Sequence, residues 1–276
     1  MAYYDFFGLQ KEPFQSGPSV EFLYLSPEHE ECLSRILVSL SLNSGLCVTL
    51  GDAGTGKTSL SNLLIDKLMQ DENALFAVIR QPRAKSEMSF LEKIGNAFGI
   101  PSMNGRATLL RLEDSLFKFV EKEGFENKKK IVLIIDEGQE MTPTQLLRVR
   151  ELLNMETVEE KLINVVIFAQ LEFLNKISTA RFKNFRQRVA MSYILNPLGP
   201  EDTKALIEFR LKKAGLPDGE SIFSDDAINI IHNETNGLAR DICKLASYSM
   251  LSAFTQGRKT IDADLVSQEL AKIPIR

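Results

Sequence analysis

Eight consecutive residues, Gly51-Asp52-Ala53-Gly54-Thr55-Gly56-Lys57-Thr58, fit the phosphate-loop pattern G-x-x-x-x-G-K-[ST]. The pattern has a physical reason. Glycines let successive backbone N–H groups turn inward on a polyphosphate, and a helix that follows presents the positive end of its dipole to the same anion. Lys57 would reach the β and γ phosphates, and Thr58 would coordinate Mg²⁺. The expected nucleotide contacts are therefore Gly51, Asp52, Ala53, Gly54, Thr55, Gly56, Lys57, Thr58 and Ser59, and the expected cofactors are ATP and Mg²⁺.

A second chemical feature is the run Ile131-Val132-Leu133-Ile134-Ile135, which ends in Asp136-Glu137. It has the look of a Walker B strand. In phosphoryl transfer the cation is held by the loop hydroxyl and by an acid at the end of a neighbouring buried strand, here Asp136, while Glu137 would orient or deprotonate the attacking water. Gln170 closes another apolar run, Val165 to Ala169. It would sense the γ-phosphate or hold the water, or else simply cap the turn that follows. The stretch from Arg181 to Arg188 holds four basic residues and no acid. It reads as an arginine finger for a neighbouring subunit's nucleotide or as a solvated basic turn. Arg240 falls in the first turn of a predicted helix, where a cation opposes the helix dipole and calls for another partner. A γ-phosphate and a nearby acid both satisfy that demand.

These residues need elements to carry them. Strand-like runs at 46–50, 75–79, 131–135, 164–169 and 190–195 alternate with helical spacing at 57–70, 86–98, 108–122 and 143–154. Such alternation predicts βαβ units and a buried parallel sheet. After Pro197-Leu198-Gly199-Pro200 only helical signals remain, at 201–214, 224–234, 238–256 and 262–272. The chain is accordingly expected to be α/β: a nucleotide domain with a mostly parallel sheet over residues 1–198, in which 1–44 form an N-terminal segment and first helix, followed by a small all-helical domain over 199–276.

Composition adds bounds. The 276 residues are 44% hydrophobic and 25% charged, with a formal charge of −4, so no global field attracts nucleic acid or an anionic membrane. Cys32, Cys47 and Cys243 are scattered and unpaired in number, which suits a reducing cytosol, and they are expected to be buried and inert. No apolar run approaches the roughly 18 residues of a bilayer span, and the N-terminus lacks a secretory signal, so a cytoplasmic protein without direct membrane insertion is expected. His29 and His232 belong to no metal-ligand spacing. Phe6, Phe7 and Phe14 are expected either to pack in the core or to cover an adenine ring. Asn175-Lys176-Ile177-Ser178 lacks the last Asp of the guanine-reading N-K-x-D motif, so adenine is the expected base.

With these residues in hand the chain resembles the AAA+ ATPases, and within them the ExeA-like secretion ATPases and related transposition helper ATPases. The marks are Tyr4-Asp5-Phe6-Phe7-Gly8-Leu9 with Pro13-Phe14, the phosphate loop, Asp136-Glu137-Gly138-Gln139, Leu152-Leu153-Asn154-Met155-Glu156-Thr157, Phe168-Ala169-Gln170-Leu171-Glu172, Arg186-Gln187-Arg188-Val189 and Gly237-Leu238-Ala239-Arg240. The resemblance implies a P-loop NTPase αβα core with a parallel five-stranded sheet and a small all-helical lid, ATP hydrolysis with nucleotide at the junction of core and lid, and ATP-driven assembly with copies of itself into rings or filaments. It implies that Gln170 is the first sensor, Arg240 the second, and Arg188 the finger, with Arg186 and Arg181 in reserve. Ala169 and Leu171 depart from the Gly and Pro usual beside the sensor. The secretion members continue into a membrane span and a cell-wall-binding region, whereas this sequence ends at Arg276. The first expectation is thus an ATP-driven switch that helps a transposase on double-stranded DNA. The alternatives are a secretion-assembly ATPase working with envelope components, and a nucleotide-binding scaffold with little hydrolysis.

Overall fold

A computed structural model describes residues 2–15, 17, 21–101, 108–158 and 161–272. Met1 and 273–276, the outer ends of the two expected regions, lie outside the described residues. Along the chain run α1 (Pro27–Ser41), β1 (Leu46–Gly51), α2 (Lys57–Met69), β2 (Ala74–Ile79), α3 (Glu87–Ala97), α4 (Leu109–Val120), β3 (Lys130–Ile135), α5 (Pro143–Leu152), β4 (Ile163–Ala169), α6 (Glu172–Ile177), the single turn α7 (Lys183–Arg186) and β5 (Val189–Leu195). Four helices follow: α8 (Pro200–Lys213), α9 (Asp225–Thr235), α10 (Ala239–Thr255) and α11 (Ala263–Leu270). The contacts divide the chain into two compact units, one of His29–Asp52 and Leu60–Leu195, the other of Met1–Glu28, Ala53–Ser59 and Asn196–Arg276.

The first unit holds the expected five-stranded sheet, in the order β2-β3-β4-β1-β5 with every pair parallel. Alternate residues of each strand feed opposite faces, as strand geometry requires. Leu46, Val48, Leu50, Leu133, Ile135, Val165 and Ile167 pack with Phe90, Ile94, Leu116, Leu146 and Phe173 of α3 to α6 on one face. Cys47, Val132, Ile134, Val166 and Phe168 pack with Ile36 and Leu40 of α1 and Leu60 and Leu64 of α2 on the other. Both faces are covered, which is why β1, β3 and β4 read as unbroken apolar runs.

The helices begin where side chains supply the caps. Thr142 accepts from the Gln145 backbone N–H at 3.3 Å and Gln145 Oε1 accepts from the Thr142 N–H at 2.8 Å, a reciprocal cap that starts α5 at Pro143. Ser86 and Ser89 form a similar reciprocal pair at the start of α3, while Ser224 and Asp262 cap α9 and α11 by accepting from the Ala227 and Leu265 N–H groups alone.

In the second unit α8 to α11 close around Leu206, Ile207, Ile228, Ile231, Ile242, Met250 and Leu265. The N-terminal segment belongs to this core, since Phe7, Leu9, Phe14 and Phe22 are buried among those residues. Phe6 and Phe254 meet edge to face at 5.5 Å, and the Lys259 ammonium lies over the Phe6 ring at 4.0 Å. The packing reading of these aromatics is the one realised. The three cysteines are buried thiols, and burial raises the pKa of Cys47 and Cys243.

One polar knot ties three helices of the first unit. Arg148 on α5 donates to Glu87 on α3 at 2.7 Å, to Glu151 at 2.7 Å and to Glu113 on α4. Burial works against its charge, but the hydrogen bond to Glu87 and the neighbouring acids outweigh it and hold the guanidinium pKa above its usual value. Removing the cation would leave three acids facing one another. Arg148→Met is expected to cost about 2 kcal/mol at neutral pH, read as a lower urea midpoint at unchanged slope. That deficit should shrink as the pH falls and the acids are neutralised.

Candidate nucleotide site

Strand exits place the candidate residues. Because all strands run one way, Gly51 at the end of β1, Asp136 after β3 and Gln170 after β4 emerge on one edge of the sheet, with β4 between the other two. Neighbouring strands lie about 5 Å apart, so the three exits fall within a span of about 10 Å across the sheet.

The phosphate loop leaves β1 and ends where α2 begins at Lys57. Gly54 and Gly56 take left-handed φ values of +91° and +97°, a conformation that side-chain-bearing residues rarely adopt. Thr55 and Lys57 are buried while Thr58 and Ser59 are half-exposed. Within the second unit the loop meets α10. The Arg240 backbone N–H donates to Gly54 O at 3.4 Å, and a Cβ at Gly54 would stand 3.4 Å from the Arg240 Cβ. The Arg240 side chain is exposed and forms no ion pair among the described residues. Of its two sequence readings, the one through a neighbouring acid is not realised there.

This cradle fits a polyphosphate. Two left-handed glycines turn the amides, a 13-residue helix starts at the loop's end, a buried ammonium lies at that start, and a guanidinium-bearing residue sits beside the loop.

The acidic pair of the first unit is held in a rigid turn. Asp136 is buried, and its Oδ1 accepts from the Glu137 N–H at 2.9 Å. Glu137 is half-exposed and has φ +55°, a strained backbone for a residue with a side chain. Gln139 donates its amide to Glu137 Oε2 and accepts from the Gln170 N–H at 3.0 Å. Lys176 Nζ donates to Gln139 O and to Met141 O, the latter at 2.6 Å, and burial lowers its pKa against the opposing pull of Glu172 and Glu140. The structure thus joins Glu137 and Gln170 through a residue that sequence reasoning quoted only as part of a family mark. Its signal was present in the adjacent Asp-Glu-Gly-Gln spelling, yet nothing in one sequence says which way a glutamine points.

Gln170 itself does not cap α6, whose N-terminus carries no side-chain cap. Its carboxamide makes no hydrogen bond among the described residues, so the capping reading is not realised.

The three arginines offered as fingers differ in their surroundings. Arg186 is committed to the carbonyls of Ile177 and Thr179, the latter at 2.8 Å. Arg181 is exposed and lies 5.8 Å from the Phe182 ring centroid. Arg188 is half-exposed and reaches Glu156 at 3.4 Å. It lines a pocket of about 560 Å³ with Arg150, Asn154, Asn184 and Gln187, and the buried Arg150 Nε has no hydrogen-bond partner among the described residues. Arg150 escaped sequence reasoning because it sits inside an ordinary amphipathic helix.

Residues 41–177 match the AAA domain family model, and with the loop, the acidic turn and the sheet order this chain belongs to the AAA+ class of P-loop NTPases, as its resemblance implied. The AAA+ fold implies nucleotide binding. Within that class the chain is similar to General secretion pathway protein A of Aeromonas hydrophila, 30% identical over 277 residues that take in 98% of this chain and 49% of that protein. It spans about half the length of the curated relative it matches. Two solved structures share the fold. Cdc6p from Pyrobaculum aerophilum superposes with a TM-score of 0.70 at 21% identity, over 92% of this chain and 70% of that one. The ORC2 protein of Aeropyrum pernix, solved in ADPNP and ADP complexes, gives 0.66 at 19% identity, over 97% and 73%.

Gly138 shows how tightly the acidic turn is packed. A Cβ there would stand 2.4 Å from Ile167 Cγ2 on β4 and 3.2 Å from the Ala169 Cβ. Gly138→Ala is expected to destabilise the protein by about 2 kcal/mol through overpacking. Adding Ile167→Ala, which removes the atom in the way, should recover part of that loss in a double-mutant cycle by urea unfolding.

Proposed function

We propose that this chain is an ATP-hydrolysing switch that assembles with copies of itself when ATP is bound and serves a secretion-type assembly role. The observation that carries the ATP reading is the loop with two left-handed glycines and a buried Lys57, against which α10 sets Arg240. The 30% identity to a general secretion pathway protein supports the secretion role over the transposase helper placed first on sequence grounds. The same identity makes envelope components the partners of choice, reached through other chains. Among the described residues no helix is long and apolar enough to cross a membrane. ATP supply sets the cytoplasmic compartment as the place of work.

In this scheme the amides of residues 53–58 bind the phosphates, and the Lys57 ammonium stabilises charge on the β and γ oxygens. The Thr58 hydroxyl and the Asp136 carboxylate would hold Mg²⁺, which when bound neutralises charge developing on the transferred group. Glu137 takes a proton from the attacking water at a carboxylate oxygen. Gln170 and Arg240 read the γ-phosphate, and Arg188 acts on the nucleotide of a neighbouring copy. Arg188 is preferred to Arg186 because the Arg186 guanidinium is already engaged by backbone carbonyls.

Phosphate release by the wild type should exceed that of Lys57→Ala by at least about 100-fold, the scale seen when such an electrostatic group is removed. Equal rates would leave only a nucleotide-binding scaffold. Glu137→Gln should retain ATP and run as a larger species than the nucleotide-free protein in size-exclusion chromatography with light scattering. A monomer under ATP would remove the assembly claim.

A further inference from the structure

The Gln139 side chain is engaged at both ends of its carboxamide. The Gln170 backbone N–H can only donate, so the atom that meets it at 3.0 Å must be the amide oxygen. The amide nitrogen is then turned toward Glu137, whose Oε2 accepts from it. One small group thereby bridges the strand end that bears Gln170 and the carboxylate read above as the base. The bridge is itself anchored. Gln139 O is held by Lys176 Nζ, Gly138 is pressed against Ile167, and the Glu137 backbone is fixed in the left-handed region by the turn. The other charged groups around the turn in this unit are Asp136, Glu140 with its partner Arg83 at 3.3 Å, and Glu172 on α6.

We propose that Gln139 is a positioning residue for hydrolysis: its carboxamide fixes the Glu137 carboxylate and couples it to the end of β4. The inference rests on Glu137 acting as the base. A half-exposed glutamate side chain has several rotamers open to it, and a base must stand within about 3 Å of the proton it takes. Gln139 occupies one carboxylate oxygen and leaves the other for water. Its hydrogen bonds run to Glu137, Gln170 and Lys176 of its own unit, so it should govern turnover and leave nucleotide affinity alone.

Two variants and a second background test this. Gln139→Met keeps the side chain's length and volume but removes both polar ends. Gln139→Glu keeps an oxygen for the Gln170 N–H and withdraws the donor from Glu137, so it separates loss of positioning from loss of the β4 contact. Both should lower kcat at least tenfold, with KM and the affinity for a fluorescent ATP analogue within twofold of wild type. In the Glu137→Gln background, followed by single-turnover hydrolysis, Gln139→Met should lower the residual rate less than twofold, because residues that act as a unit are not additive. Wild-type kcat in Gln139→Met, or an equal fall in both backgrounds, overturns the inference and leaves Gln139 a plain turn residue. A wild type no faster than Lys57→Ala would sink the hydrolysis reading and this inference with it, whereas the first two outcomes sink the inference alone.

Discussion

Parallel pairing is the constraint on which the candidate site depends. Five strands running in one direction deliver every C-terminal exit to the same edge, so residues as distant in sequence as Gly51, Asp136 and Gln170 arrive together without any contact having to bring them there. The order β2-β3-β4-β1-β5 adds a second consequence, because the chain passes from β1 to the far side of the sheet and returns through β4. Open α/β sheets bind ligands at such crossovers, outside the carboxyl ends of the strands. A buried sheet demands helices on both faces, and apolar clusters lie on both faces of this one.

At this edge local stability is given up for position. Glu137 holds a left-handed backbone that most residues avoid, Gly138 leaves no room for a methyl group against Ile167, and Lys176 brings a cation into a half-buried place to tie two carbonyls of the turn. A turn free to relax would need none of these features. Their concentration within a few residues matches the chemistry assigned to the acidic pair, since a proton acceptor works only at a defined distance from its water.

The helical unit follows a different logic. Its core takes in the N-terminal aromatics along with α8 to α11, and the phosphate loop is grouped with it. Arg240 lies outside the 41–177 span of the AAA domain match, yet its backbone reaches Gly54 within that span.

Much of this was legible in the residues. The loop could be read because its chemistry is contiguous: eight adjacent residues set their own backbone shape. Eight of the longer helices and the central strands β1, β3 and β4 could be read because a 3.6-residue period leaves its own mark and burial on both faces forces unbroken apolar runs, and the alternation of strands with helices announced the parallel sheet. Side-chain partnerships were not legible. The packing of Phe7 and Phe14, the carbonyls that engage Arg186, and the bridge made by Gln139 became visible only in the folded chain. Hydrophobic period and turn chemistry are written in neighbouring residues, so one chain can declare them. A hydrogen bond or an ion pair is decided by which groups meet in space, and that is settled by the tertiary structure.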